Sequence, residues 1–478
     1  MLNKIRLLAA TLAMPALAAC GNFEVTNPNQ PTLDDLVSNP TRAKLSAAAT
    51  GLFSRSRSEI TSFIWRLGSM GREGINLAGN NQPDYQEPYF GPLSPSGFGG
   101  ALWQSRYGLI RDANTYIDAV GRSGDLSAGE KAVSTAMAET LKALAFMYII
   151  ETRAKLGAPV DVGRAIDAAP APFVSEDSVY RYVISLLTDA SGRLQANPSA
   201  SFPFPVPPGF SGFDTPTTFR LFVNALTAKA NVLRATAGCG APCYTAALNA
   251  LSAISGSFLD ANNPSNLSRG VYFDFSSSPN DQANDLSEPL NGVRYFADSL
   301  ILYQKVQSNT VTGALDQRLT NKTAAATAET PQSISGVDIT GTLKFTNYFT
   351  NGQPDPSHGI PIIKNEELIL LRAEAEYFTG DATGALNDLN FVRVNSGGLT
   401  PLLSFPTQAA FVSALLYERE FSLLWEQGTT WIDARRFNQF STIPVGVSSG
   451  GHVPTVMPIP AAECSARSLP GNCSPLGG

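Results

Sequence analysis

A mostly α-helical fold, a solenoid of helix pairs with long irregular loops packed on it, is predicted by three features of this 478-residue chain. Apolar residues return at helical spacing in stretch after stretch between residues 127 and 428. Ser, Thr or Asp heads several of those stretches and Gly closes them, the punctuation of helix starts and stops. Between them lie segments rich in Gly, Pro and Asn with neither the helical nor the strand period.

The chain begins with a leader. Lys4 and Arg6 precede an uncharged apolar run, Leu7 to Ala19, too short to span a bilayer but suited to the apolar part of a secretory signal. It ends in Leu17-Ala18-Ala19-Cys20, which resembles the bacterial lipobox, where the cysteine thiol receives a diacylglyceryl group. Residues 1–19 therefore read as a lipoprotein signal peptide and Cys20 as the lipidated first residue of the mature chain; the competing reading is an ordinary core or disulfide cysteine. Several acyl chains such as palmitate hold a protein at a membrane where one holds it only marginally. Residues 20–40, with "GNFEVTNPNQPT", are too polar and Asn/Pro-rich for a packed element and read as a tether; residues 41–478 read as a single domain.

Loss of Lys4 and Arg6 with the leader takes the net charge from -6 to -8, and the rest holds no basic cluster, which argues against a nucleic-acid partner. A hydrophobic content of 43% suits a globular fold, and no apolar run after the leader reads as a membrane span. Four cysteines remain, in two close pairs, and an exported chain meets an oxidising compartment, so disulfides Cys239–Cys243 and Cys464–Cys473 are expected. A metal site at "CGAPC" is the alternative, but with only His358 and His452 in the chain neither a zinc site nor another cofactor is expected.

The helices follow in order. Ser127 and Glu130 form a capping box ahead of Val133, Met137, Leu141, Leu144 and Tyr148, with Arg153 and Lys155 in the last turn and Gly157 as terminator. Ser175 caps the stripe Val183, Leu187, Ala190 and Leu194. Thr215 with Pro216 opens Phe219, Phe222, Val223, Leu226, Ala230 and Leu233. "NEELILLRAEAEYFTG" and "DATGALNDLNFVRVNSGG" form a helix pair joined at Gly380-Asp381, followed by "AAFVSALLYEREFSLLWEQG". Such pairs suggest an irregular tetratricopeptide-like solenoid, without a strict repeat. Residues 71–100, 198–214, 257–292 and 309–360 read as irregular.

The order of these pieces resembles the SusD/RagB family of outer-membrane nutrient-binding lipoproteins. The likeness runs from Cys20 almost to the C-terminus. It is carried by "EVTNPNQPT", "WQSRYGLIRDANTYID", "LKALAFMYIIETRAKLGAPV", "ALDQRL", "PIIKNEELILLRAEAEYFTGDATGALNDLNFVR", "YEREFSLLWEQGTTWIDARRF" and "VMPIPAAE". The resemblance implies a SusD-like fold and a binding protein, not an enzyme, that sits over a SusC-like TonB-dependent transporter at the outer membrane, cell-surface facing. Oligosaccharides are the implied ligands, with peptides as runner-up; a tetratricopeptide-like protein-interaction scaffold is the alternative from another class. The chain departs from the family at "EQGTTW", where Thr430 replaces an arginine, implying that an internal ion pair of Glu426 or Glu418 is absent or rebuilt. It also lacks an acidic cluster directly after Cys20.

Charged residues among apolar neighbours, Arg372, Glu374 and Glu376 or Asp433, Arg435 and Arg436, read as paired scaffold charges; the competing reading is a glycosidase carboxylate pair. No phosphate loop, nucleophile elbow or metal motif is present. Sugar recognition uses flat aromatic faces together with amides and guanidinium groups. Residues 71–100 offer that mixture, so Trp65, Arg72, Asn80, Asn81, Tyr85, Tyr89 and Phe90 are the candidate ligand contacts. Trp103 and Tyr107 are assigned to core packing.

Overall fold

The computed structural model describes residues 36, 38–77, 83–165, 167–288, 294–298, 302, 305–326, 331–334, 337–443 and 453–476. Cys20, Asn80 and Asn81 lie outside them. The first part of the chain forms α1 (Arg42–Ser56), α2 (Ile60–Gly71), α3 (Pro83–Phe90), α4 (Gln104–Arg122), α5 (Ala128–Arg153), α6 (Glu176–Ala196), α7 (Pro216–Arg234) and α8 (Ala241–Ser252). The second part forms α9 (Gln317–Lys322), α10 (Asn365–Phe378), α11 (Ala382–Asn395), α12 (Gln408–Ser422), α13 (Thr429–Arg436) and α14 (Ala461–Ala466).

The caps explain the boundaries. Ser127 and Glu130 make a reciprocal capping box on α5, Thr215 does the same with Thr218 on α7, and Ser175 and Asp381 accept from the first turns of α6 and α11. The chain leaves α5 through a single 3-10 turn to Gly157, at φ 69°, where a Cβ would stand 2.1 Å from the Val174 carbonyl oxygen. Successive helices lie side by side: α1 on α4, α4 on α5, α5 on α6, α6 on α7, α7 on α8, α8 on α10 and α10 on α11. Each buries its apolar stripe against the next, the packing logic of a solenoid. One correction concerns α5: residues 128–156 are long and apolar enough to cross a membrane, although no such run was expected after the leader. The apolar window within that stretch is wholly buried, which makes it a core helix of this fold.

The long segments expected to be irregular carry short strands. Antiparallel strands β1 (Gly74–Asn76), β3 (Tyr295–Ala297), β5 (Leu343–Phe345) and β4 (Thr323–Ala325) form a four-stranded sheet in that order. β2 (Gly270–Phe273) pairs antiparallel with β6 (Ile360–Lys364), which runs straight into α10. The β1–β3 pairing joins residues more than 200 positions apart, and the strands stitch the loops onto the helices. Two disulfides are formed, Cys239–Cys243 at the start of α8 and Cys464–Cys473 at α14.

Most of the charges expected to be paired inside the helical stack are, although Arg435 instead donates to the Glu151 carbonyl and lies over the Trp431 ring. Glu418 of α12 receives Arg318 at 2.6 Å and Arg393 at 2.8 Å, and Arg318 also reaches Asp316 at 2.6 Å. Asp433 joins Arg419 at 2.5 Å and Arg436 at 2.8 Å, while Arg436 closes the circuit onto Glu374. Arg372 pairs with Asp388 at 2.5 Å. Glu426 is held by Lys322 at 2.8 Å and Lys364 at 2.6 Å, so both carboxylates affected by the Thr430 departure have cations from elsewhere in the chain. Thr430 instead offers its backbone N–H to Glu73 at 3.2 Å, alongside Trp425 N–H at 2.9 Å. Glu73 is fully buried, and loss of hydration pushes its carboxyl up to about 7, against these two hydrogen bonds.

Candidate functional site

Residues 71–100 do two things. Residues 71–77 and 83–90 are a packed staple. α3 spaces Tyr85 and Tyr89 one turn apart on a single face, and that face, with half-buried Phe90, packs on Ile75, Leu77 and Phe296 of the sheet. Tyr85 is 2% and Tyr89 5% exposed, and the Tyr89 hydroxyl donates to Asp298 at 3.0 Å. Arg72, 1% exposed, lies 3.9 Å over the Tyr89 ring and donates to the Ser69 and Pro88 carbonyls at 2.9 and 3.0 Å. Trp65 stacks on Tyr295 at 6.0 Å and meets Phe98 edge-on at 5.7 Å, with Arg66 lying over both Trp65 and Phe98.

The structure thus brings Arg72, Tyr85, Tyr89 and Phe90 together, with Trp65 on the neighbouring helix. It does so with the rings against protein, whereas a stacking platform needs a face towards solvent. The i, i+4 spacing of Tyr85 and Tyr89 behind Pro83 was the available sign that they share a buried helix face.

The second half of the segment is one wall of a surface groove of about 1020 Å³. Pro95, Gly97, Gly100 and Ala101 line it on one side and the N-terminal turns of α4, with Trp103, Tyr107 and Arg111, form its floor. Residues 159–165 and 168–171 together with α14 complete it, and Arg55 reaches in from α1. The walls are sewn together. Gly100 N–H donates to Ser94 O at 3.0 Å, and a Cβ at this position would lie 1.9 Å from the Pro95 oxygen. Ala461 N–H donates to Pro95 O at 3.0 Å, and the Tyr107 hydroxyl to Pro159 O at 2.9 Å. Arg153, fully buried, donates to Ala101 O at 2.7 Å and lies over Trp103; burial pulls it down to about 9. Trp103 stacks on Phe173 at 6.0 Å, and Arg467 of the C-terminal wall covers Phe173 at 4.7 Å. Cys464–Cys473 fixes that wall from behind.

The assignment of Trp103 to packing agrees with its 5% exposure, yet it and half-buried Tyr107 also border the groove. Single-residue reasoning missed the groove because it is made of distant segments. The available sign was collective: "WQSRYGLIRD", "GAPV" and "PIPAAE", three of the pieces that carried the family resemblance, all end in its walls.

The groove holds two carboxylates, and each has a partner: Asp161 with Arg164 at 3.0 Å and Glu463 with Arg467 at 2.7 Å. It is a recess with apolar ring edges and guanidinium groups, suited to holding a polar ligand with an apolar side.

No protein-family model matches the chain, and no curated protein sequence matches it. Solved structures do. A SusD superfamily protein from Bacteroides vulgatus superposes with a TM-score of 0.65 at 14% identity, over 90% of this chain and 98% of that one. A SusD-like carbohydrate binding protein from Bacteroides fragilis gives 0.62 at 17% identity, over 91% and 99%. The B. fragilis protein NanU gives 0.59 at 16%, over 89% and 94%. The chain has the SusD-like fold along nearly its whole length.

Proposed function

We propose that this chain is a non-catalytic, lipid-anchored outer-membrane receptor that binds oligomeric nutrients, glycans foremost, in the groove floored by Trp103, Tyr107 and Arg111. It passes them to a SusC-like TonB-dependent transporter. The observation that carries the reading is the groove itself: an open recess with aromatic edges and guanidinium groups on a fold shared over 91% of the chain with a carbohydrate binding protein. In this reading Trp65, Arg72, Tyr85, Tyr89 and Phe90 hold the 71–100 segment in shape, and its second half meets the ligand. A binding role is also supported by the carboxylates. General acid–base hydrolysis needs one carboxyl protonated and one free, and here both are ion-paired. The lipid at Cys20 and a polar tether keep the receptor concentrated at its transporter while leaving it free to move.

Calorimetric titration of the mature chain with neutral, acidic and peptidic oligomers tests this reading. Ala168→Trp places an indole in the groove from an exposed wall position. It is expected to abolish binding and leave the melting temperature unchanged. Tyr89→Ala is expected to lower the melting temperature and leave affinity intact. Wild-type protein that binds nothing, binding indifferent to Ala168→Trp, or release of new reducing ends at enzyme-like rates would overturn the proposal. Labelling with a clickable fatty acid tests the anchor: label is expected on the wild type and not on Cys20→Ala.

A further inference from the structure

The groove's charges do not sum as its composition suggests. Arg55 is satisfied by Asp112 at 2.5 Å, Arg164 by Asp161 and Arg467 by Glu463, so each of these pairs is close to neutral beyond a few ångströms. Arg111 is exposed and lines the groove, and its guanidinium makes no hydrogen bond or ion pair among the described residues. It is the groove's uncompensated charge, in a chain whose net charge is -6.

Its neighbours give that charge a context. Tyr107 lies one helical turn before Arg111 on the same face of α4, so an apolar ring edge and a guanidinium stand side by side. Asp118 lies two turns after Arg111 on that face and lines a second groove of about 590 Å³, which meets the first at Asp161 and Val162. One helix face thus presents a cation to the first groove and a carboxylate to the second, about 10 Å apart by helix rise.

We propose that the ligand of the first groove is anionic: a sugar oligomer bearing carboxylate or sulfate groups, one of which pairs with the Arg111 guanidinium while the ring packs on the Tyr107 edge. This step rests on the binding-protein reading and adds the substrate class to it. A planar guanidinium matches the oxygens of either group through two parallel hydrogen bonds.

The test compares three ligands of equal length by calorimetry at low salt: a uronate oligomer, its methyl ester, and a sulfated neutral oligomer. At least one anionic ligand is expected to bind about tenfold more tightly than the uncharged ester. That preference is expected to vanish in Arg111→Ala and to persist in Arg122→Ala, which removes an exposed charge at the far end of α4. The two anionic arms show whether carboxylate or sulfate is read. A methyl ester bound as tightly as both anions, or a preference that survives Arg111→Ala, overturns the anionic class and leaves the receptor reading standing. Failure of all three ligands and of the wider panel overturns the receptor reading itself.

Discussion

Glu418 and Arg111 both stand on helices of the same solenoid, yet their surroundings are opposite. Glu418 is fully buried and takes guanidinium groups on both oxygens, one from α9 and one from α11. Arg111 stands exposed in a groove whose other charges are already matched. The interior uses charge to fix how helices meet, and there an unpartnered ion is costly. The groove wall leaves one ion for something outside the chain. Pairing, more than composition, separates scaffold from site in this protein.

The comparison breaks most visibly at Glu418. Glu418→Ala strips Arg393 of its carboxylate and Arg318 of one of two, leaving positive charge in a site closed to water. A loss of about 3–5 kcal/mol is expected in urea or guanidinium unfolding. Glu418→Gln, which keeps the shape and one acceptor, is expected to cost less. A loss below about 1 kcal/mol for the alanine variant would mean that the cluster behaves like a surface ion pair.

A second test uses the buried carboxyl that has hydrogen bonds but no cation. Glu73 sits near 7 in the folded protein against an ordinary 4.5, so between those values the native state holds more protons than the unfolded chain. Its share of stability is therefore present at low pH and is lost as pH rises from about 4.5 to about 7. Glu151 and Glu376, also pushed up to about 7 with burial as the leading cause, slope the same way. Glu366, brought down to about 2 by Lys364 and Lys322 against its burial, acts only at more acidic pH. Stability measured by denaturant at pH 5, 6 and 7 is expected to fall, and Glu73→Gln to flatten the fall by up to one proton's worth. An unchanged slope in the variant would show that Glu73 stays ionised when folded.

How much of this was legible in the chain follows from the distance between the residues involved. The α5 and α7 caps were readable because a Ser or Thr and its partner three residues on lie within one turn. The sheet was not, since β1 is three residues long and its partner lies at Tyr295–Ala297, so no period has room to show. The roles of Tyr85 and Tyr89 turned on what the opposing strand brought, Phe296, which local pattern does not encode. The rebuilt pairing of Glu426 was invisible for the same reason, since Lys322 and Lys364 arrive from separate segments. The groove needed α4, residues 159–165 and 168–171, and α14 together, and only the joint appearance of three family-like pieces hinted at it.

The smallest expected effect is the sharpest comparison. Arg111→Ala removes a guanidinium that is exposed and bonded to nothing among the described residues, so no buried partner is stranded and no cavity opens. Surface substitutions of this kind stay within about 0.5 kcal/mol, and alanine is a better helix former than arginine by a few tenths. Denaturation of Arg111→Ala is therefore expected to superimpose on that of the wild type. A loss of 1 kcal/mol or more would place Arg111 among the scaffold charges, with a partner that holds it to the fold. Beside Glu418→Ala, the pair of measurements separates charges that the fold consumes from the one its groove leaves available: the first variant loses stability with its groove residues untouched, and the second keeps stability with its groove altered.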